Sequence, residues 1–172
     1  MFYTLRILPV LALIQLSLLG KSFHIYSPSS KQNTLWIVKA IPKGESLKLE
    51  VAEKVKFGFS GRVITAHPSK PLLYVTATGG DPGKVPGAVV FLNKDGSYLK
   101  HQNINFNDGA CYLSLDKENR HILGVSYGNG RLNVYPLDDQ GIPGKAVTTI
   151  DEGKKEAHCV LLPPDGKNVY IP

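Results

Sequence analysis

Cysteine is scarce: Cys111 and Cys159 are the only two in 172 residues. That excludes a disulfide-dense mini-domain and a multi-cysteine zinc site. Long apolar stretches are lacking too. The single near-continuous run, Ile7 to Leu19, covers 13 residues and is broken by Pro9, Gln15 and Ser17. A bilayer core needs about 20, so no stable membrane span is expected. Capped, helix-length apolar stripes are missing, which argues against a helix bundle. The chain has no Ser-His-Asp order, no Walker loop and no His-Glu-x-x-His pair. Gly79-Gly80-Asp81-Pro82-Gly83 has no following helix to cradle a phosphate. Acidic residues are too dispersed to hold a metal, and no cofactor is expected.

The net charge of +6 has no Arg-rich run behind it. Residues 1–60 hold eight Lys/Arg against three Glu, giving +5, and residues 61–172 hold twelve against eleven, giving +1. Scattered lysines with few interleaved aromatics describe a solvated face, so no nucleic-acid partner is expected. What remains is globular and about one domain long, with 42% apolar residues, 17 Gly and 12 Pro.

The first residues stand apart. Arg6 precedes the apolar run, and Gly20-Lys21-Ser22 puts small residues at −3 and −1 of a cut after Ser22. This is the pattern of a secretory signal over residues 1–22. It implies a secreted or periplasmic protein. A start placed too early, which would leave the protein cytoplasmic, and a short N-terminal anchor are the competing readings.

Residues 23–172 are organised by repeats. Arg62–Ala77, Cys111–Tyr127 and His158–Pro172 each read as a β-rich stretch, a turn and a second β-rich stretch. Aligning the turns brings Arg62, Cys111 and His158 into register, 49 and 47 residues apart. The segments that follow also match, Gly87–Leu99 with Gly130–Pro143, each an alternating apolar strand ending in Asn/Asp and Gly turn chemistry. Leu132 and Val134 alternate with the polar Asn133 in this way. Phe23–Val55 is an earlier, partial unit. Pro164-Asp165-Gly166-Lys167 is a turn by mechanism: proline presets φ, aspartate bonds the backbone, and glycine accepts positive φ.

A four-stranded unit of 40–50 residues, repeated, is the signature of propeller blades. The fold class is therefore all-β, a β-propeller. About three units fit here, whereas a ring needs at least about four. The sequence also stops at Pro172, inside the second strand of its last unit. The expectation is an incomplete ring whose missing C-terminal blades close it. Alone, the piece would expose an unpaired edge and fold poorly or associate.

Three stretches resemble the seven-bladed propeller lactonases, the family of propeller-type 6-phosphogluconolactonases and carboxymuconate cyclases. Ile25-Tyr26-Ser27-Pro28-Ser29-Ser30-Lys31-Gln32 is similar to the family's opening strand and turn. Asp108–Leu137 resembles a glycine-rich approach, a Ser-x-Asp strand, an Asn-Tyr-Gly turn and a strand ending Val-x-Pro-Leu. Ala157–Pro172 resembles a His-initiated strand before Pro-Asp-Gly-Lys. The likeness runs over residues 23–172 in the family's order and marks them as the N-terminal part of about three blades of seven. It departs at Ser126, where Asn is usual, at Asn129, where Gly is common, at Tyr112, and at Glu156-Ala157-His158, where a doubled His pattern is reduced.

In a propeller, the strand before the Pro-Asp-Gly turn is innermost, so its start faces the mouth of the central channel. Arg62, Cys111 and His158 would then gather on neighbouring blades, at a concavity of the kind ligands favour. Opening a lactone needs a group titrating near neutrality and donors for the developing oxyanion. His158 is the candidate general acid/base, a role the resemblance supports most directly. Arg62 is the candidate clamp for an anionic substituent. Tyr127 would orient the sugar, and Asn129 is a further candidate contact. Side chains pointing in opposite directions argue against a Cys111–Cys159 disulfide. The leading reading is hydrolysis of a small-molecule sugar lactone such as 6-phosphogluconolactone. The alternatives are a carboxymuconate-type cyclase and a non-catalytic secreted propeller that binds carbohydrate or protein.

Overall fold

The computed structural model describes residues 21–77, 79–151, 153 and 156–172. The expected leader falls on residues 1–22 and so lies, but for its last two, outside the described residues. The described residues form eleven strands: β1 (Phe23–Ser29), β2 (Thr34–Lys43), β3 (Ser46–Lys56), β4 (Val63–Ala66), β5 (Leu72–Thr76), β6 (Val85–Leu92), β7 (Tyr98–Phe106), β8 (Tyr112–Leu115), β9 (His121–Val125), β10 (Arg131–Pro136) and β11 (Thr148–Asp151). They form three antiparallel meanders, ordered β1-β2-β3, β4-β5-β6-β7 and β8-β9-β10-β11. A fourth unit begins after β11, where Leu161 bridges Tyr170. This is an all-β, unclosed part of a propeller.

The meanders follow from local sequence. β-branched and aromatic residues fill β5 and β6, and short Asn/Asp/Gly turns join the strands. In the turn between β6 and β7, the Asp95 carboxylate accepts the Ser97 backbone N–H at 3.0 Å, and Gly96 takes φ +85°. The strand contacts place β1, β4 and β8 next to one another as the innermost strands present in each sheet.

Counting from the crossings shows what differs in the first sheet. β7 leads through residues 107–111 into the inner strand β8, and β3 leads through residues 57–62 into the inner strand β4. β3 is therefore the counterpart of β7, and β1 the counterpart of β5. Among the described residues the first sheet has no counterpart of β4.

The main core lies between the sheets. Leu35 and Ile37 of the first meet Tyr74, Val75, Val89 and Val90 of the second, which meet Ile122 and Tyr135 of the third. Phe106 packs edge-on against Tyr135, centroids 5.0 Å apart at 84°. Gly87 is required there, because the Phe106 ring occupies the space its Cβ would fill. A second core cluster joins Leu123, Val125 and Leu132 to Val160 of the fourth unit.

Candidate functional site at the mouth of the inner strands

Three backbone hydrogen bonds fix the register of the repeats. Arg62 N–H donates to Thr76 O at 3.0 Å, Cys111 N–H to Val125 O at 2.8 Å, and His158 N–H to Pro172 O at 3.1 Å. Each spans 14 residues. The three positions aligned from the sequence are therefore equivalent, each at the start of an inner stretch where it meets the end of the next strand.

The structure brings two of these starts together. The Cys111 thiol donates to Ala157 O at 3.1 Å and to Val125 O at 3.3 Å. Burial pushes this thiol above its ordinary range, so it stays protonated and serves as a donor between units rather than as a nucleophile. Both cysteines are free.

Tyr127 enters from the tight turn between β9 and β10. Ser126 N–H bonds Arg131 O, Gly130 N–H bonds Ser126 O, and Gly130 takes φ +70°. That closure projects Tyr127 toward the fourth unit. Its ring stands edge-on to His158, centroids 4.8 Å apart at 73°, and its carbonyl accepts Glu156 N–H at 2.9 Å. Tyr127 and His158 are both exposed, leaving an imidazole and a phenol side by side and open to a ligand.

Arg62 is exposed at the start of β4. Among the described residues no hydrogen bond or ion pair links it to the Tyr127–His158 pair. Asn129 lies in the same turn as Tyr127 but is engaged elsewhere: its Nδ2 donates to Asp108 Oδ1 at 2.8 Å, and its Oδ1 accepts Arg131 N–H at 3.1 Å.

Asp108 anchors a network that sequence reasoning missed. Its second oxygen accepts from Asn133 Nδ2 at 2.8 Å, and Asn133 Oδ1 accepts from Thr149 at 2.7 Å. Arg131 bonds Asp151 at 2.8 Å and lies 3.9 Å from Asp108. Strand alternation set Asn133 apart as the polar residue between Leu132 and Val134, yet it is 1% exposed. It is buried because both ends of its amide have partners. The Asn129-Gly130 turn followed by an Asn in the strand was the available signal. Asp108, Arg131, Asn133 and Thr149 line a shallow recess of about 240 Å³.

Along the inner strands, Thr65 of β4 and Tyr112 and Ser114 of β8 line an open space of about 450 Å³. No three His, Cys, Asp or Glu side chains converge as a metal site among the described residues. No helix of the described residues is long and apolar enough to cross a membrane.

Comparison with known proteins agrees with this architecture. The family model described as "Lactonase, 7-bladed beta-propeller" matches residues 27–172. A 6-phosphogluconolactonase of Klebsiella pneumoniae (strain 342) is 27% identical over 152 residues, covering 88% of this chain and 43% of the relative. The 6-phosphogluconolactonase of Pectobacterium atrosepticum is 23% identical over 87% of this chain and 42% of the relative. The periplasmic gluconolactonase of Pseudomonas aeruginosa superposes with TM-score 0.72 at 15% identity, covering 88% of this chain and 47% of its own, a likeness of fold. The chain thus spans less than half the length of these relatives. With its repeats in register and its sheets arranged as successive blades, it belongs to the seven-bladed β-propeller lactonase family.

Proposed function

We propose that this chain is the N-terminal part of a lactone hydrolase acting on a sugar lactone, with 6-phosphogluconolactone as the type substrate. The observation that carries the reading is the exposed His158 imidazole set against Tyr127 at the start of an inner stretch. The imidazole takes a proton from water as that water attacks the lactone carbonyl. The tetrahedral oxyanion then collapses, the ring C–O bond breaks, and the imidazolium returns its proton to the leaving alkoxide, giving the hydroxy acid. The Tyr127 hydroxyl donates to the substrate and orients it. Arg62, at the equivalent strand start two units earlier, holds an anionic group at the far end of the ligand. The leader pattern of residues 1–22 supports a location outside the cytoplasm.

The test uses the full-length protein. His158→Ala should lower lactone turnover by roughly 10²–10⁴-fold, the usual worth of a general acid/base, with the circular dichroism spectrum unchanged. Unchanged turnover would refute the role of His158. Binding of sugar lactones with no turnover in the parent protein would favour a non-catalytic propeller instead.

A further inference from the structure

Besides glycine, three of the described residues hold a positive φ: Asn33 at 52°, Asn119 at 55° and Glu156 at 77°. The two asparagines sit in turns, where their side chains tolerate this conformation. Glutamate gains no such relief, and glycine would take the position without strain. Residues kept in strained conformations cluster at working sites, and Glu156 lies two residues from His158.

Its backbone is fixed beside the mouth. Glu156 N–H is tied to Tyr127 O at 2.9 Å, which holds the segment against the turn that carries the phenol. Ala157 is half-buried, packed against the Val160 cluster under the Cys111 thiol, whereas Glu156 and His158 are both exposed. Glu156 and His158 thus flank a half-buried residue, both exposed, beside the turn that carries Tyr127. Among the described residues, the other charged groups of the neighbouring turn are the Arg131–Asp151 pair and Asp108, which are engaged with one another and with Asn129 and Asn133, while Arg62 lies on a more distant blade.

We propose that Glu156 sets the substrate class of this mouth. Its carboxylate accepts hydrogen bonds from the ring hydroxyls of a polyhydroxylated lactone, and its charge disfavours a lactone bearing carboxylates near the reacting carbonyl. The proposal rests on the lactonase reading for where that carbonyl lies. It is compatible with a phosphate at the distal end of the sugar, because Arg62 lies on another blade.

The experiment uses the full-length protein, glucono-lactam as a non-hydrolysed ligand measured by calorimetry, and glucono-δ-lactone and δ-valerolactone as substrates. Glu156→Gly should raise the melting temperature by removing strain, yet weaken lactam binding about tenfold or more, as loss of a charge-assisted hydrogen bond does. Its KM for glucono-δ-lactone should rise, while hydrolysis of δ-valerolactone, which has no hydroxyls to bind, stays level. Glu156→Gln keeps an acceptor and should retain lactam binding within a few-fold. Unchanged lactam affinity in Glu156→Gly, or an equal loss on both lactones, would overturn the proposal. Glu156-dependent lactam binding without any hydrolysis would sink the lactonase reading and leave the assignment of Glu156 to polyol recognition standing.

Discussion

The first and second sheets are built from similar strands but live in different surroundings. β5 of the second sheet is buried along its whole length, because the first sheet covers one face and the third covers the other. Among the described residues, the first sheet is covered on one face only. Its other face carries Leu47, Leu49 and Val51, at 52%, 59% and 52% exposed, opposite Pro42, Ala40 and Val38 of β2, with Phe23 and Ile25 beside them on β1. Alternation is regular from Ser46 to Val51, up to the register shift in the β2–β3 pairing. What differs is the neighbour. A propeller blade is a two-faced wedge, and its apolar pattern specifies a contact that the wedge cannot make by itself.

Substitutions on the two sheets should separate accordingly. Phe106→Ala empties the contact between the second and third sheets and should cost about 3–5 kcal/mol in chemical denaturation. In the 172-residue chain Leu49→Ala should change stability by under about 0.5 kcal/mol. In a full-length protein its cost should rise toward that of a core leucine, provided a further blade covers this face. Equal small effects in both lengths would mean that the face stays open.

The buried polar network gives the next effect. Asp108→Ala leaves the Asn129 and Asn133 amides without their acceptor, for a loss of about 1–3 kcal/mol. Asn133→Leu should be costly as well, because it strands Asp108, and the double change should be milder than the sum.

A smaller, pH-dependent effect belongs to the second sheet alone. His67 is 5% exposed, and its Nδ1 accepts the Ser69 and Lys70 backbone N–H groups. Burial first, then the Lys70 charge, holds its pKa below the ordinary histidine value of 6.5. The unfolded chain therefore binds more protons than the folded one as pH falls through that value, and stability drops there. His101 of β7, held down by burial, acts in the same direction. Denaturant midpoints from pH 7.5 to 5 should fall for the parent and fall less for His67→Gln. A flat profile would count against a buried neutral imidazole.

Much of this was legible in the sequence. The alignment of Arg62, Cys111 and His158 corresponds to three equivalent backbone bonds, because a repeat that stacks on itself must keep its strand starts in step. Tyr127 next to Gly128 was readable as a turn-borne aromatic. Less legible was the fate of Asn129 and Asn133. Period-2 alternation assigns a face but does not show whether a carboxylate 21 or 25 residues away will satisfy an amide there. The strain at Glu156 was equally hidden, since nothing in the local residue types calls for a left-handed glutamate.

The central claim is that the strand starts gather around one mouth with His158 and Tyr127 facing the substrate. A structure of the full-length protein bound to glucono-lactam tests it most directly. The account predicts the lactam carbonyl within hydrogen-bond reach of the His158 imidazole or its bound water, with the Tyr127 hydroxyl on the sugar. A lactam bound elsewhere, or His158 and Tyr127 turned away from the axis, would contradict it.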